Sequence, residues 1–267
     1  MGIEAQRARG TARLGVKRRG SASVIDDLAM SGSLKLVFPG TAGPLQAVWL
    51  NTAGGVTGGD RFETAVSLAP EAAAVLTSQA AERIYRALPG ETGRIETSLS
   101  VGAGGSLSWL PQETILYDGA ALDRRLSVDL ASGARFLGIE TLIFGRAAMG
   151  ERVRDLRLTD RIDLRVGGSL VWADRLRLTD DADAALARPF VANGGGTVAT
   201  LLFAAPGAAS RLEAVRALLP ATAGASSPAE DVIAARIVAP DGFEMRRTLC
   251  PLLERLSEAP LPRPWMI

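Results

Sequence analysis

The stretch RFETAVSL, residues 61–68, alternates with a period of two: Phe62, Thr64, Val66 and Leu68 face one way, and Glu63, Ala65 and Ser67 the other. Successive side chains of an extended backbone point to opposite sides of a sheet, so this is the pattern of a strand buried on one face. Working backwards, it is preceded by NTAGGVTGGD, residues 51–60, and by the apolar run LQAVWL, residues 45–50. The chain therefore turns sharply between two strands. Glycine is used where φ is positive or where another surface must come close to the main chain, and Gly54, Gly55, Gly58 and Gly59 exceed what a two-residue hairpin needs. A phosphate loop would end in Lys-Ser or Lys-Thr and open a helix; here a strand follows, so a close-approach turn is the better reading. Asp60, directly after the glycines, either caps that turn or projects a carboxylate into a cavity.

Further along, LKLVF, AAVLTS, RIETSLSV, SLSWL, RRLSVDL, ARFLGIETLIF, RVRDLRL, RIDLRV and SLVWADRLRL repeat the strand pattern, with Gly, Pro, Asp and Ser between them. No helix-length amphipathic segment separates successive strands, which disfavours a doubly wound α/β fold. After Asp180 an acidic turn, DDADAALARPF, leads to the strand TVATLLFAA. Ser210 then opens an apparent capping box with Glu213, and Leu212, Val215, Leu218 and Leu219 give an apolar helical stripe up to Pro220. ATAGASSPAE reads as loop, DVIAARIVA as a strand, and Glu244 to Leu256 as a second helix, with Pro251 in its first turn or kinking it. Trp265 is expected to pin the tail LPRPWMI. The fold class is mainly β: one domain of stacked sheets over residues 21–267, with two short helices near the C-terminus. Residues 1–20, rich in Arg and Gly, read as a flexible arm.

Composition narrows the chemistry. The 267 residues include no histidine, which removes the usual general base and the commonest nitrogen ligand of zinc or nickel. A single cysteine, Cys250, cannot form an internal disulfide; it reads as a small buried hydrophobe, and with no signal peptide this favours the cytoplasm. No run approaches the roughly 20 apolar residues of a membrane-spanning helix, and a net charge of +1 gives no general case for nucleic acid or membrane as partner. No acids form a clear catalytic pair, so an enzyme is disfavoured.

Three segments carry the candidate sites. In TSQAAERIYR, residues 77–86, polar groups interrupt a strand pattern; they either tie sheets together or, through Arg83, Tyr85 and Arg86, form a partner-binding surface. In WLPQETI, residues 109–115, Pro111 implies an edge or bulge that leaves Gln112 and Glu113 near a sheet end. Asp60, Glu82, Glu113, Asp118 and Glu140 are the available hard-metal ligands, too dispersed for more than a weak or transient metal path. An alternative function is a carbohydrate- or small-molecule-binding β-domain using Trp109, Trp172 and Tyr117 as a stacking platform.

NTAGGVTGGDRF, TSQAAERIYRA, LPQETILYDGA and ARFLGIETLIFGR, in this order, together with the closing LPRPW, resemble the UreD (UreH) family of urease accessory proteins. The resemblance spans most of the chain from Ser33 onward. It implies an irregular, β-helix-like stack with two helices. It also implies a cytoplasmic maturation chaperone and scaffold, not an enzyme, that binds urease apoprotein with UreF and the GTPase UreG. Nickel would pass transiently through an internal passage, with no tightly bound cofactor. Asp60, matching the acid of the GGD motif, with Glu82, Glu113 and Glu140, is then expected to line the metal route.

Overall fold

The computed structural model describes residues 6–40 and 43–266. Its strands are β1 (Arg9–Arg19), β2 (Ala22–Gly32), β3 (Leu34–Val37), β4 (Leu45–Asn51), β5 (Arg61–Leu68), β6 (Ala73–Ser78), β7 (Glu82–Ile84), β8 (Gly93–Val101), β9 (Ser106–Leu110), β10 (Thr114–Leu116), β11 (Ala121–Leu130), β12 (Arg135–Phe144), β13 (Leu156–Val166), β14 (Ser169–Asp180), β15 (Thr197–Ala204), β16 (Ala223–Ala229) and β17 (Val232–Ala239). Among the described residues three α-helices accompany them: α1 (Ala182–Ala187), α2 (Leu212–Arg216) and α3 (Gly242–Leu256).

The strands form two stacked sheets in a β-solenoid-like single domain. The first has the order β14-β13-β11-β8-β5-β1-β2, and its inner five strands run parallel. The second runs β16-β17-β15-β12-β9-β6-β4-β3, with β7 and β10 joined beside β12. The chain shuttles between them, so that RFETAVSL and RIETSLSV become adjacent parallel strands of the first sheet and AAVLTS and SLSWL adjacent strands of the second. Phe62, Val66, Leu68, Leu99, Leu126 and Val128 fill the space between the sheets. A second core lies beyond the second sheet, where Met245, Leu249, Leu252 and Leu253 of α3 cover Leu201, Ile233 and Ile237. Three layers result: sheet, sheet, helices.

Several expectations need correction. Residues 9–19 of the expected flexible arm form β1, between β2 and β5, with Leu14 and Val16 fully buried; residues 1–5 lie outside the described residues. The period two of Ala12, Leu14 and Val16 was masked by arginines and lysine on the solvent side. The acidic turn after Asp180 is α1, capped by the Asp181 carboxylate accepting from the Ala184 N–H. Ser210 caps nothing: it sits in a 3-10 turn and donates to the Gly207 carbonyl, and α2 is only five residues long. The supposed loop ATAGASSPAE carries β16, an edge strand paired to β17. By contrast α3 ends at Leu256 as expected, begins at an Asp241 cap, and carries Pro251 within it. Trp265 is buried, its Nε1 donating to the Leu110 carbonyl at 2.9 Å, which pins the tail.

Candidate functional site

The glycine loop is folded against β7. Val56 N–H donates to the Arg83 carbonyl, Tyr85 N–H to the Val56 carbonyl, and the Tyr85 hydroxyl to the Gly54 carbonyl. Gly55 has φ +153°, and a Cβ there would meet the Tyr85 ring and lie 2.7 Å from the Arg83 carbonyl oxygen. The close approach inferred from the glycines is therefore real, and its partner is the Arg83–Tyr85 segment. Asp60 takes the capping role: its Oδ1 accepts from the Ala8 N–H at 2.7 Å and its Oδ2 from the Thr57 N–H at 2.8 Å.

The candidate site lies where the second sheet divides. β6 and β9 are paired as far as Thr77 and Leu110; pairing resumes in β7 and β10 at Glu82 and Thr114. The residues between, 79–81 and 111–113, are not strand, and Pro111 cannot supply a ladder N–H. These corners are the two polar interruptions seen in the sequence. Between them and the first sheet opens a cavity of about 350 Å³, whose walls include Trp49, Glu82, Trp109, Gln112, Arg124 and Glu140.

Arg124 organises its floor. On β11 it occupies the inward-facing series Leu122, Arg124, Leu126, Val128, and its register partner on β13, Asp160, stands in the inward series Leu158, Asp160, Ile162. Arg124 Nε and Nη2 donate to the two Asp160 oxygens at 2.9 and 2.7 Å, and Nη1 donates to Glu140 Oε2 at 2.7 Å and to Thr114 Oγ1 at 3.1 Å. Glu140 Oε1 accepts from Trp109 Nε1 at 2.8 Å, so both its oxygens are engaged. Burial alone would lower the Arg124 pKa, but the charges of Asp160 and Glu140 outweigh it and hold the guanidinium firmly protonated. Burial raises the Glu140 pKa against the opposing Arg124 charge and the Trp109 hydrogen bond.

Glu82 is less tightly held. Its side chain accepts long bonds, 3.2 and 3.3 Å, from the Asn51 amide, which also donates to the Gly55 carbonyl, and a backbone hydrogen bond and the charge of Arg83 also favour its ionised form. Burial pushes its carboxyl up to about 7, with the Asn51 hydrogen bond pulling the other way. Trp49 packs edge-on against Trp109, ring centroids 5.3 Å apart, and two buried donors, Trp49 Nε1 and Gln112 Nε2, have no partner among the described residues. Such donors favour water or a polar guest in a cavity.

The structure thus brings Glu82 and Glu140 together in one cavity and leaves Asp60 and Glu113 off its walls. Glu113 faces Arg246 at 3.6 Å instead. Asp118 is held by Arg86 and by the backbone N–H groups of Arg154 and Asp155, all of which lower its pKa against the opposing effect of burial. Arg83 edges the cavity; Tyr85 and Arg86 line a separate surface depression, where Tyr85 meets Tyr117 edge-on at 5.2 Å and Arg146 lies over Tyr117. Trp109, Trp172 and Tyr117 line three different depressions, so the stacking platform of the carbohydrate reading does not form. Cys250 is only partly buried, against the second core. Among the described residues no three His, Cys, Asp or Glu side chains gather to hold a metal ion, and no helix is long and apolar enough to cross a membrane.

Fold and cavity define a β-solenoid-like domain with a polar pocket between its sheets, lined by Glu82 and Glu140 and by Arg83 and Arg124. The sequence model of the family described as UreD urease accessory protein matches residues 8–266. The chain is 46% identical over 255 residues to the urease accessory protein UreD of Ruegeria pomeroyi, covering 95% of this chain and 99% of that one. It is 44% identical over 265 residues to the protein of the same name from Roseobacter denitrificans (99% and 97% covered), and 46% over 268 residues to that of Paracoccus denitrificans (99% and 94%). The chain belongs to the UreD family of urease accessory proteins, and its role is in urease maturation.

Proposed function

We propose that the chain is a non-catalytic, cytoplasmic chaperone and scaffold that binds urease apoprotein together with UreF and UreG, and that nickel on its way to the urease active site passes through the cavity between the sheets. The observation that carries this reading is the cavity itself, set at the division of the second sheet and walled by Glu82 and Glu140. A conduit must bind its ion weakly enough to release it, and carboxylate and water oxygens hold nickel less tenaciously than imidazole or thiolate clusters. Glu140, with both oxygens engaged by Arg124 and Trp109, is a fixed part of the wall. Glu82, held by long bonds from Asn51 and by a backbone hydrogen bond from Arg83, is the more loosely tied carboxylate and the one to exchange partners with a passing cation. Nickel is cargo in this account.

The test is co-expression of the chain with urease subunits, UreF and UreG, followed by affinity purification and metal analysis of the urease. The reading expects UreF and apoprotein to co-purify with the chain and nickel per urease active site to fall when the chain is omitted. Full nickel loading without the chain, or no co-purification of either protein, would contradict it.

A further inference from the structure

The arginine-rich N-terminal segment belongs to β1, and its solvent-side residues stand in register with those of the neighbouring strands. Arg9 lies directly opposite Arg61, and Arg61 directly opposite Arg94, on three adjacent parallel strands. All three are exposed. Neighbouring strands are about 4.8 Å apart, so this is a row of like charges at close spacing, which destabilises a sheet. Two residues along the same face comes a row of the opposite sign, Glu63 directly opposite Glu96. These two carboxylates line a shallow depression of about 220 Å³ together with Thr11, Arg13 and Ser98.

Further along this face Arg125 stands opposite Glu96 and begins a second like-charge row, Arg125, Arg161 and Arg175, but there each arginine has a carboxylate partner. On β11, β13 and β14, charges of opposite sign are joined: Arg161 to Asp123, Arg125 to Asp163 at 3.5 Å, and Arg175 to Asp163. Asp123, the next residue in the row after Arg94, is already engaged by Arg161. Among the described residues, Arg9, Arg61, Arg94, Glu63 and Glu96 form no salt bridge. Like-charge rows occur on both parts of the face, and among the described residues only those on β1, β5 and β8 are without salt-bridge partners.

We propose that the outer face of β1, β5 and β8 is a docking surface for a protein segment of complementary zoning: a short run of acidic residues lying over Arg9, Arg61 and Arg94, beside a basic side chain received between Glu63 and Glu96. The glutamate row selects this occupant over a nucleic acid or another uniform polyanion. A phosphate backbone crossing the arginines would meet the two carboxylates one side-chain repeat away, about 7 Å along the strands. A peptide of mixed sign satisfies both rows. The surface is separate from the cavity between the sheets and does not depend on it.

The test uses the full chain and short labelled peptides: one with an acidic run followed by an arginine, one uniformly acidic, and one with its signs reversed, each titrated by fluorescence anisotropy at low and physiological salt, with heparin as a polyanion control. The zoned peptide is expected to bind best and to weaken as salt rises. Arg61→Glu should reduce its binding about tenfold or more while leaving thermal stability equal or higher, since the substitution breaks the like-charge row. Glu63→Gln with Glu96→Gln should erase the preference for the zoned peptide over the uniformly acidic one. Heparin or the uniformly acidic peptide binding as well as the zoned one, or zoned binding unchanged in folded Arg61→Glu protein, would overturn the proposal.

Discussion

Arg124 of the first sheet donates a 2.7 Å hydrogen bond to Glu140 of the second, so one guanidinium ties the two layers together across the core while its other edge grips Asp160. Removing the cation leaves two buried carboxylates facing each other without compensation. Arg124→Met, which keeps an unbranched apolar stem but removes the charge, is therefore expected to cost about 3–5 kcal/mol in urea unfolding at neutral pH, the usual penalty for orphaning a buried charge. A loss below 1 kcal/mol, by about the scale of an exposed pair, would show that the site is far wetter than its geometry indicates.

Glu82 should make stability depend on pH in an uncommon direction. Its carboxyl titrates near 4.5 in the unfolded chain and is raised to about 7 in the fold by burial. Between those values the folded state holds a proton that the unfolded state has released, so this group's contribution falls as pH rises from 4.5 towards 7 and is constant above. The shift corresponds to about 3 kcal/mol at most. Glu82→Gln should flatten this part of the profile and be more stable than wild type at pH about 8. Chemical denaturation of both proteins across this range measures it, and parallel profiles would refute it.

The glycine loop offers a paired comparison. A Cβ on Gly54 (φ +80°) meets open space, whereas one on Gly55 meets the Tyr85 ring and the Arg83 carbonyl. Gly54→Ala should cost about 1 kcal/mol, the penalty of left-handed backbone. Gly55→Ala should cost several-fold more and perturb the Tyr85–Tyr117 contact, visible in near-ultraviolet circular dichroism. Equal costs would contradict the docking of this loop on β7.

Asp60 acts through backbone N–H groups. Asp60→Ala leaves the Ala8 and Thr57 donors unmatched and should destabilise by about 1–3 kcal/mol, with Asp60→Asn intermediate because its amide keeps one acceptor. In urease maturation, nickel loading should then follow the amount of folded Asp60→Ala protein. Loading that collapses while the variant is fully folded would instead give Asp60 a place on the metal route.

How much was legible follows from these residues. Period two announced the strands wherever one face is apolar, as at Phe62, Thr64, Val66 and Leu68. It was hidden in β1 by Arg and Lys, and it could not mark β2, which is an edge strand exposed along most of its length. The polar interruptions near residues 79–81 and 111–113 were visible as anomalies, but that they lie side by side and border one cavity depends on β6 pairing with β9 and β7 with β10. Arg124 and Asp160 carried an unread signal: each is a charge at an inward position of an otherwise apolar alternation. Asp60 and Glu82 look alike in the sequence, each an acid beside a small-residue segment. Only tertiary hydrogen bonds separate the engaged carboxylate from the loosely held one.

The central claim, that the cavity between the sheets conducts nickel, is tested most directly by nickel content per urease active site after maturation with Glu82→Gln protein, measured alongside recovery of the assembled accessory complex. The account predicts a nickel content several-fold below wild type with the complex recovered in full, because the substitution removes the exchangeable carboxylate without adding bulk. Wild-type nickel loading by folded, complex-forming Glu82→Gln protein would contradict it.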